Sequence, residues 1–354
     1  MLTINLQKLR ENYRSFCAHS KAKVAGVLKA NAYGLGAEDV FKALREEGCD
    51  VFFTAIPEEA FALRALDEQA VIAVLGGLWP GLEEEYERRN ILPVLNAPEM
   101  TARWQAHAVQ CEKSLPAIIH FDTGMNRLGY SAQEARELIE KPELLDGIDL
   151  KIVMSHFACA DEKDHPMTTL QYERFDKLAA HFPGAQKSLA NSPGLFRSKD
   201  YHYDLVRPGY ALYGGNPTPE TKSPVQNVIR LEVPVLQIRD VQKGESIGYG
   251  AAHIFSEDAQ TATIALGYAD GFFRSASGKA KVFYKGQACP VLGRVSMDLV
   301  TIGTGHLRDK PASGEMIEIL GDHQTVDDLA AACGTIGYEI LTALGSRYQR
   351  FYQS

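Results

Sequence analysis

One lysine of this chain stands where a nucleophile or a base could act. In Val24–Gly36, the run AGVLKANAYGLG places Lys29 directly after an apolar, β-rich segment, at the carboxyl end of a predicted strand. A lysine among apolar neighbours has a lowered pKa, and the neutral amine is the form that attacks carbonyl carbons. The alternative interpretation is a surface lysine that closes a strand. Tyr33 and the glycines of GLG favour the chemical interpretation, although GLG fits neither a Walker loop nor a dinucleotide-binding loop.

The elements around Lys29 predict a (β/α)8 barrel. Between about residue 20 and residue 215, short β-rich runs alternate with segments of helical periodicity, as in Asp39–Arg45, Glu58–Leu66 and Gln171–Ala180. Active sites of such barrels lie at the carboxyl ends of the strands, where Lys29 falls. The strand candidates are Val24–Leu28, Val51–Thr54, Val71–Leu75, Ile91–Val94, Pro116–Phe121, Ile152–Met154, Lys187–Ala190 and Tyr203–Val206.

A second domain with few helices is predicted after Tyr213. The stretch GGNPTPETKSP is typical of a linker or a long turn, and β-branched runs separated by Gly and Pro follow it. Helical patterns return only at Val326–Cys333 and Gly337–Leu344. We therefore predict an α/β protein with a barrel domain over residues 1–225 and a mainly-β domain over residues 226–354, which the first few residues can also join.

The composition excludes several classes of partner. The formal net charge of −8 argues against nucleic acid or an anionic membrane surface as the main partner. No apolar run is long enough to span a bilayer, and the start MLTINLQKLRENY lacks the apolar segment of a secretory signal. The six cysteines form no Cys-x-x-Cys pair, which indicates reduced thiols and no metal centre. We expect a cytoplasmic enzyme.

A series of short motifs resembles those of the alanine racemases, which are fold-type III enzymes that use pyridoxal 5′-phosphate. The motifs are KANAYGLG at 29–36, FDTGMNRLGY at 121–130, SHFACADE at 155–162, ANSPG at 190–194, RPGYALYG at 207–214, IGYGAAHIF at 247–255, GYADGF at 267–272 and LGRVSMD at 292–298. The resemblance implies an N-terminal barrel, a C-terminal β domain and a pyridoxal phosphate cofactor. It also implies interconversion of L-alanine and D-alanine, with D-alanine supplied for peptidoglycan.

By this resemblance, two bases act on opposite faces of the substrate. Lys29 binds the cofactor as an aldimine and serves as the base for one face, and Tyr249, in IGYG, serves the other face. A racemase needs such a pair, since one base removes the α-proton and the other returns a proton from behind. Because Tyr249 lies in the C-terminal domain, we expect it to reach the barrel mouth of a second subunit. This implies a homodimer with shared active sites.

The resemblance also implies the other cofactor contacts. Arg207 faces the pyridine nitrogen, and because an arginine stays protonated, it leaves that nitrogen largely neutral and suppresses side reactions. His156 stacks on the cofactor ring. The remaining cofactor-binding positions are Tyr33, Asn191, Ser192, Gly209, Tyr210 and Tyr338.

Three further residues match substrate-binding positions of the family. Arg127, in DTGMNRLG, binds the substrate carboxylate and the phenolic oxygen of the cofactor. Met297 offers its backbone N–H to the same carboxylate, and Tyr268 narrows the entrance together with Tyr338. Arg274 and Arg294 fall near the entrance, where they could attract an anionic substrate.

Three positions depart from the family's pattern. His120 replaces a lysine, often carbamylated, that orients the arginine of DTGMNR in well-known members. Either another anion, such as chloride or a carboxylate, orients Arg127, or His120 packs in the place of the lysine. Ser188 replaces a histidine, which shortens the polar chain that leads outward from Arg207. Ser296 replaces a cysteine and keeps the backbone contact next to it.

Three other functions find less support in the sequence. A fold-type III decarboxylase would carry a carboxylate in place of Arg207. A cofactor carrier built from a single barrel would lack the C-terminal domain and a counterpart of Tyr249. A metal-dependent hydrolase would use Asp161, Asp164 and His165, whose spacing is not a typical ligand pattern.

Overall fold

A computed structural model describes residues 1–354 and places seven N-terminal strands in one curled parallel sheet. Each strand pairs with the next one along the chain, as expected when helices connect successive parallel strands. The strands are Gly26–Val27, Val51–Thr54, Val71–Val74, Ile91–Leu95, Leu115–His120, Ile148–Met154 and Gln186–Ser188.

An eighth strand closes the sheet into a barrel. Leu205–Val206 pairs in parallel with Lys23–Val24, which precedes Gly26–Val27. On its other side, the backbone N–H of Arg207 donates to the carbonyl of Ala190 at 2.9 Å. The predicted barrel is confirmed, although strand ends differ by up to four residues and the first strand is divided. The predicted Val24–Leu28 is split, because its first part pairs with the eighth strand and its second part with the second strand.

Helices cover the outside of the barrel. Ala37–Glu46 shows the pattern, since Val40, Phe41 and Leu44 are buried on one face while acidic residues occupy the first turn. The predicted helix Gln171–Ala180 begins earlier than expected, at Pro166, because proline fits the first helical position. The helices of this part are Leu6–His19, Ala37–Glu46, Pro57–Arg64, Glu83–Arg88, Pro98–Gln110, Ala132–Glu140, Pro166–Ala179 and Ser192–Arg197.

The C-terminal part is built on an antiparallel sheet that closes on itself. Its longest strand, Ile229–Val241, pairs with both Ala259–Ile264 and Met316–Leu320, and the remaining strands link these two neighbours. The remaining strands of the ring are Lys281–Tyr284, Gln287–Leu292 and Val300–Gly303, with a small hairpin at Ser246–Ile247 and His253–Ile254. The mainly-β character predicted for this part is confirmed, and Val326–Cys333 and Gly337–Ala343 are its helices.

Both ends of the chain join this C-terminal sheet. Leu2–Asn5 pairs antiparallel with Ile229–Val241 and parallel with Arg350–Gln353. Buried apolar residues of the barrel and of the C-terminal sheet form one continuous core. None of the helices combines the length and the apolar character that a membrane span requires.

Candidate active site

Lys29 opens a left-handed turn at the barrel mouth. Residues 30–33 all have φ between 52° and 54°, a conformation that costs L-residues roughly 1–2 kcal/mol each. Glu59, on the helix after the second strand, holds the turn. Its carboxylate accepts the backbone N–H of Ala30 at 2.6 Å and that of Ala55 at 2.9 Å. The turn therefore fixes the Lys29 backbone at the carboxyl end of the first strand.

The surroundings of Lys29 favour its neutral amine. Burial lowers the pKa of Lys29, and the charge of Arg127 lowers it further, against an opposing effect of Glu59. The lysine lines a cavity of about 460 Å³ together with Tyr33 and Tyr338. A neutral amine in such a cavity can bind a carbonyl carbon or take up a proton.

Arg207 is a buried cation without an acidic partner. It follows the eighth strand, is 4% exposed, and donates to the carbonyls of Ser155 at 2.6 Å and Leu189 at 3.4 Å. It also donates to the hydroxyl of Ser188, whose own proton goes to Leu205 O at 2.6 Å. Burial lowers the pKa of Arg207 to about 9. The guanidinium still has unused N–H groups for a neutral acceptor.

Two histidines next to Arg207 are held neutral. Burial, followed by the charges of Arg207, Arg127 and Lys29, lowers the pKa of His156 well below its usual value. Burial and the charge of Arg207 lower the pKa of His120 to about 4. Neutral imidazoles can pack against a planar ring or accept hydrogen bonds without adding charge to this cationic site.

A group of hydrogen-bond donors lies beyond the seventh and eighth strands. The hydroxyl of Ser192 accepts the backbone N–H of Gly209 at 2.9 Å and that of Ala211 at 3.3 Å, so its own proton remains available. A Cβ atom at Gly209 would lie 2.4 Å from the Tyr33 hydroxyl oxygen, which explains the glycine. Asn191 caps the helix that starts at Ser192, because its side chain accepts the N–H of Gly194.

Two tyrosines connect the barrel to the C-terminal part. The ring of Tyr210 stacks on that of Tyr338 with 3.8 Å between centroids. The Tyr210 hydroxyl donates to the Asp327 carboxylate at 2.5 Å, so Tyr210 can offer a ligand its backbone N–H but not its hydroxyl proton. These contacts bring Tyr338 beside Tyr33, with 6.2 Å between ring centroids.

Other candidate residues lie apart from Lys29. Tyr249 is 72% exposed and borders a separate cavity with Arg294, while Tyr268 and Met297 are also exposed. Arg127 is exposed on the loop after the fifth strand and makes no hydrogen bond within the chain, although its charge acts on Lys29. A single chain thus assembles the lysine half of the predicted site and leaves the Tyr249 half facing outward.

Sequence reasoning missed three residues that hold this site. Glu59 anchors the left-handed turn, Asp327 holds Tyr210, and Asn96 bonds to the His120 ring. For Glu59 a signal existed, because an acidic residue in the first turn of a helix can bind nearby N–H groups. No such signal existed for Asn96 and Asp327, because their hydrogen-bond partners are distant in sequence. Taken together, the fold and the site define a barrel protein with a half-buried lysine of lowered pKa in a cavity at the barrel mouth.

Comparison with known proteins gives the family. The family model for the N-terminal domain of alanine racemase matches residues 4–217, and that for the C-terminal domain matches residues 228–352. The chain belongs to the alanine racemase family, whose members are isomerases.

Relatives of this chain agree with it over its full length. An alanine racemase of Acidiphilium cryptum is 46% identical and covers 100% of this chain and 98% of its own length. A catabolic alanine racemase of Agrobacterium fabrum is also 46% identical, over 99% of this chain and 91% of its own length. The crystal structure of alanine racemase from Bartonella henselae, with covalently bound pyridoxal phosphate, superposes with a TM-score of 0.96 at 37% identity, covering 99% of each chain.

Proposed function

We propose that this protein interconverts L-alanine and D-alanine with pyridoxal 5′-phosphate bound covalently to Lys29. The observation that carries the proposal is the Lys29 amine of lowered pKa, in one cavity with Tyr33 and Tyr338 at the mouth of the barrel. Membership of the alanine racemase family supports it. So does the likeness to the Bartonella henselae structure that holds covalently bound pyridoxal phosphate.

The residues around Lys29 fit this cofactor. A phosphate group needs donors, and the hydroxyls of Ser192 and Tyr33 and the backbone N–H of Tyr210 lie where the seventh and eighth strands end. Gly209, whose own N–H donates to Ser192, contributes by leaving room for the Tyr33 hydroxyl. The other end of the cofactor is a ring nitrogen, which can accept a hydrogen bond from the unused N–H groups of Arg207. We assign Asn191 a supporting role as the cap that fixes Ser192, and His156 a packing role against the ring.

Lys29 and Arg207 have different roles in the proposed mechanism. When bound, pyridoxal phosphate stabilises the electron pair left on the substrate's α-carbon. The neutral Lys29 amine removes or returns the α-proton on one face of the substrate. With a pKa of about 9, Arg207 keeps its proton at neutral pH, so it leaves the ring nitrogen unprotonated and favours return of the proton to the α-carbon.

We propose that Tyr249 of a second copy supplies the base for the opposite face. Tyr249 is 72% exposed and borders a cavity distinct from that of Lys29. The exposed apolar side chains of Ile254, Met297 and Leu299 lie on the same part of the molecule and suit burial against another subunit. A symmetric homodimer would bring each Tyr249 to the partner's barrel mouth and complete two sites.

We assign substrate binding to three further residues. Arg127 has a free guanidinium that can bind the alanine carboxylate. Met297 would add its backbone N–H, and Tyr268 would narrow the entrance from the same copy as Tyr249. In the cell, we propose that the enzyme works in the cytoplasm and supplies D-alanine for peptidoglycan. Growth of a D-alanine auxotroph that expresses this chain tests that role.

The first experiment is borohydride reduction of the purified holoenzyme, followed by peptide mapping. We expect the cofactor's absorbance band to disappear and the label to map to Lys29, with Lys23→Ala, at an exposed strand residue, as a matched control that still labels. Racemisation assays on wild type and Tyr249→Phe then separate a catalyst from a carrier. A label on another lysine, or racemisation unchanged in Tyr249→Phe, contradicts the proposal.

A further inference from the structure

His120 ends the fifth barrel strand, and beside it lies Asn96, the polar residue that follows the fourth strand. The strand register pairs Leu95 with Ile119, so Asn96 and His120 follow as neighbours at the barrel mouth. His120 Nδ1 lies 2.8 Å from Asn96 Oδ1, and both side chains are buried. His120 Nε2 makes no hydrogen bond within the chain, so one ring nitrogen is engaged and the other is free.

The other contacts of Asn96 decide which nitrogen carries the proton. Asn96 Nδ2 donates to two backbone carbonyls, those of Leu75 and Val94, each at 3.0 Å. Turning the amide over would set its oxygen against these two carbonyl oxygens, which can only accept. Asn96 therefore presents an acceptor to His120, and His120 Nδ1 must donate. In the neutral imidazole, the lone pair then lies on Nε2.

The free Nε2 belongs to a ring surrounded by positive charge. The charges of Arg207 and Arg127 act on His120, Asp122 opposes them, and His156 lies close enough to interact. Arg207 donates to Ser188 and to two carbonyls, and we assign its remaining N–H groups to the cofactor's ring nitrogen, whereas the Arg127 guanidinium has no partner in the chain.

The loop that carries Arg127 folds back onto the end of the fifth strand. The backbone N–H of Tyr130 donates to His120 O at 2.7 Å. At the start of the loop, Asp122 fixes the backbone by accepting the N–H groups of Gly124 and Met125 at 2.8 and 2.9 Å. The loop thus begins and ends beside His120, with Arg127 between its fixed points.

We propose that His120 positions Arg127: its Nε2 accepts a hydrogen bond from the guanidinium, and Asn96 keeps that nitrogen free of a proton. The inference rests on the proposed function, because His120 acts on the substrate carboxylate only through Arg127. A neutral acceptor can do this without a bound anion or a modified side chain. Burial and the nearby charge of Arg207 lower the pKa of His120 to about 4, which keeps the ring an acceptor at neutral pH.

Nuclear magnetic resonance tests the protonation pattern without reference to activity. In the holoenzyme labelled with ¹⁵N-histidine, long-range ¹H–¹⁵N correlations report which ring nitrogen bears the proton, and the signals lost in His120→Gln assign the residue. We expect the Nδ1–H form at neutral pH, and a shift towards the Nε2–H form in Asn96→Ala. An Nε2–H or a doubly protonated ring in the wild-type enzyme overturns the inference, whatever the racemase assay gives.

Kinetics tests the effect on substrate binding. His120→Leu removes the acceptor, so we expect KM for alanine to rise roughly tenfold with a much smaller change in kcat, as for a lost hydrogen bond to a charged group. His120→Gln keeps an acceptor oxygen and should recover most of the loss. An unchanged KM in His120→Leu overturns the inference. So does a wild-type KM that falls with added chloride at constant ionic strength, because an anion would then orient Arg127. If the wild-type enzyme does not racemise alanine at all, the proposed function is wrong. The nuclear magnetic resonance experiment then still tests the protonation of His120 independently.

Discussion

Two inactive variants, Lys29→Ala and Tyr249→Phe, should restore activity when their chains are combined in one dimer. Lys29 and Tyr249 border different cavities of the chain, and Tyr249 is 72% exposed. If each site takes Lys29 from one copy and Tyr249 from the other, a mixed dimer contains one site with both defects and one intact site.

The expected size of the recovered activity follows from counting the mixed dimers and their intact sites. Random pairing of equal amounts makes half of the dimers mixed, and each mixed dimer has one working site of two, so we expect about a quarter of the wild-type activity per chain. Sites built within single chains would give no recovery, because each chain carries a defect.

The assay is co-expression of the two chains with different affinity tags, sequential purification of the mixed dimer, and measurement of D-alanine formation. The purified mixed dimer should reach about half of the wild-type activity, because one of its two sites is intact. The matched control pairs Lys29→Ala with the double variant Lys29→Ala/Tyr249→Phe, which leaves no intact site in either arrangement. A purified mixed dimer that is no more active than this control refutes the shared site.

Three further predictions concern the residues that hold the site. Glu59→Gln replaces one of the two carboxylate oxygens by an NH2 group, so the backbone N–H of either Ala30 or Ala55 loses its acceptor. The free energy of unfolding should fall by about 1–3 kcal/mol in urea denaturation, and an unchanged midpoint would contradict this role. Ser192→Ala removes the acceptor that orders the N–H groups of Gly209 and Ala211, so dialysis should show cofactor retention weakened roughly tenfold, whereas equal retention would place the phosphate elsewhere. In the unfolded chain His120 binds a proton near pH 6.5, and in the folded chain only near pH 4. Its contribution to the free energy of unfolding is therefore fully present above pH 6.5 and is lost as the pH falls towards 4. This residue should contribute a loss of about 1.4 kcal/mol per pH unit across that window. Denaturation at several pH values should therefore give a slope smaller by that amount in His120→Gln, in which His156 still contributes its own.

Patterns within short segments predicted the barrel well, because each strand is an apolar run bounded by polar or turn residues. Val51–Thr54 has the predicted bounds, and Ile148–Met154 contains the predicted Ile152–Met154. The left-handed turn after Lys29 could not be predicted in this way. Its sequence, KANAY, contains alanines that favour a right-handed helix, and the observed conformation depends on Glu59 from another element.

The same holds for the site: features that depend on one segment were predicted, and contacts between distant segments were not. The position of Lys29 followed from its own segment, because the strand that carries it is local. The bond between Asn96 and His120 depends on the register of two strands, which nothing in either segment specifies. The resemblance to a family identified His120 as a departure, but only the strand register shows which residue fixes its proton.

The pairing of the two chain ends has a consequence for synthesis on the ribosome. Leu2–Asn5 is made well over 300 residues before its parallel partner Arg350–Gln353. At about 5–20 residues per second, translation leaves the first strand without this partner for tens of seconds. The barrel can pair its strands in chain order during that time, because each one meets a neighbour made shortly before. The C-terminal sheet is completed only when Arg350–Gln353 has been made, so the proposed subunit contacts around Tyr249 should form after that point and not while the barrel is being synthesised.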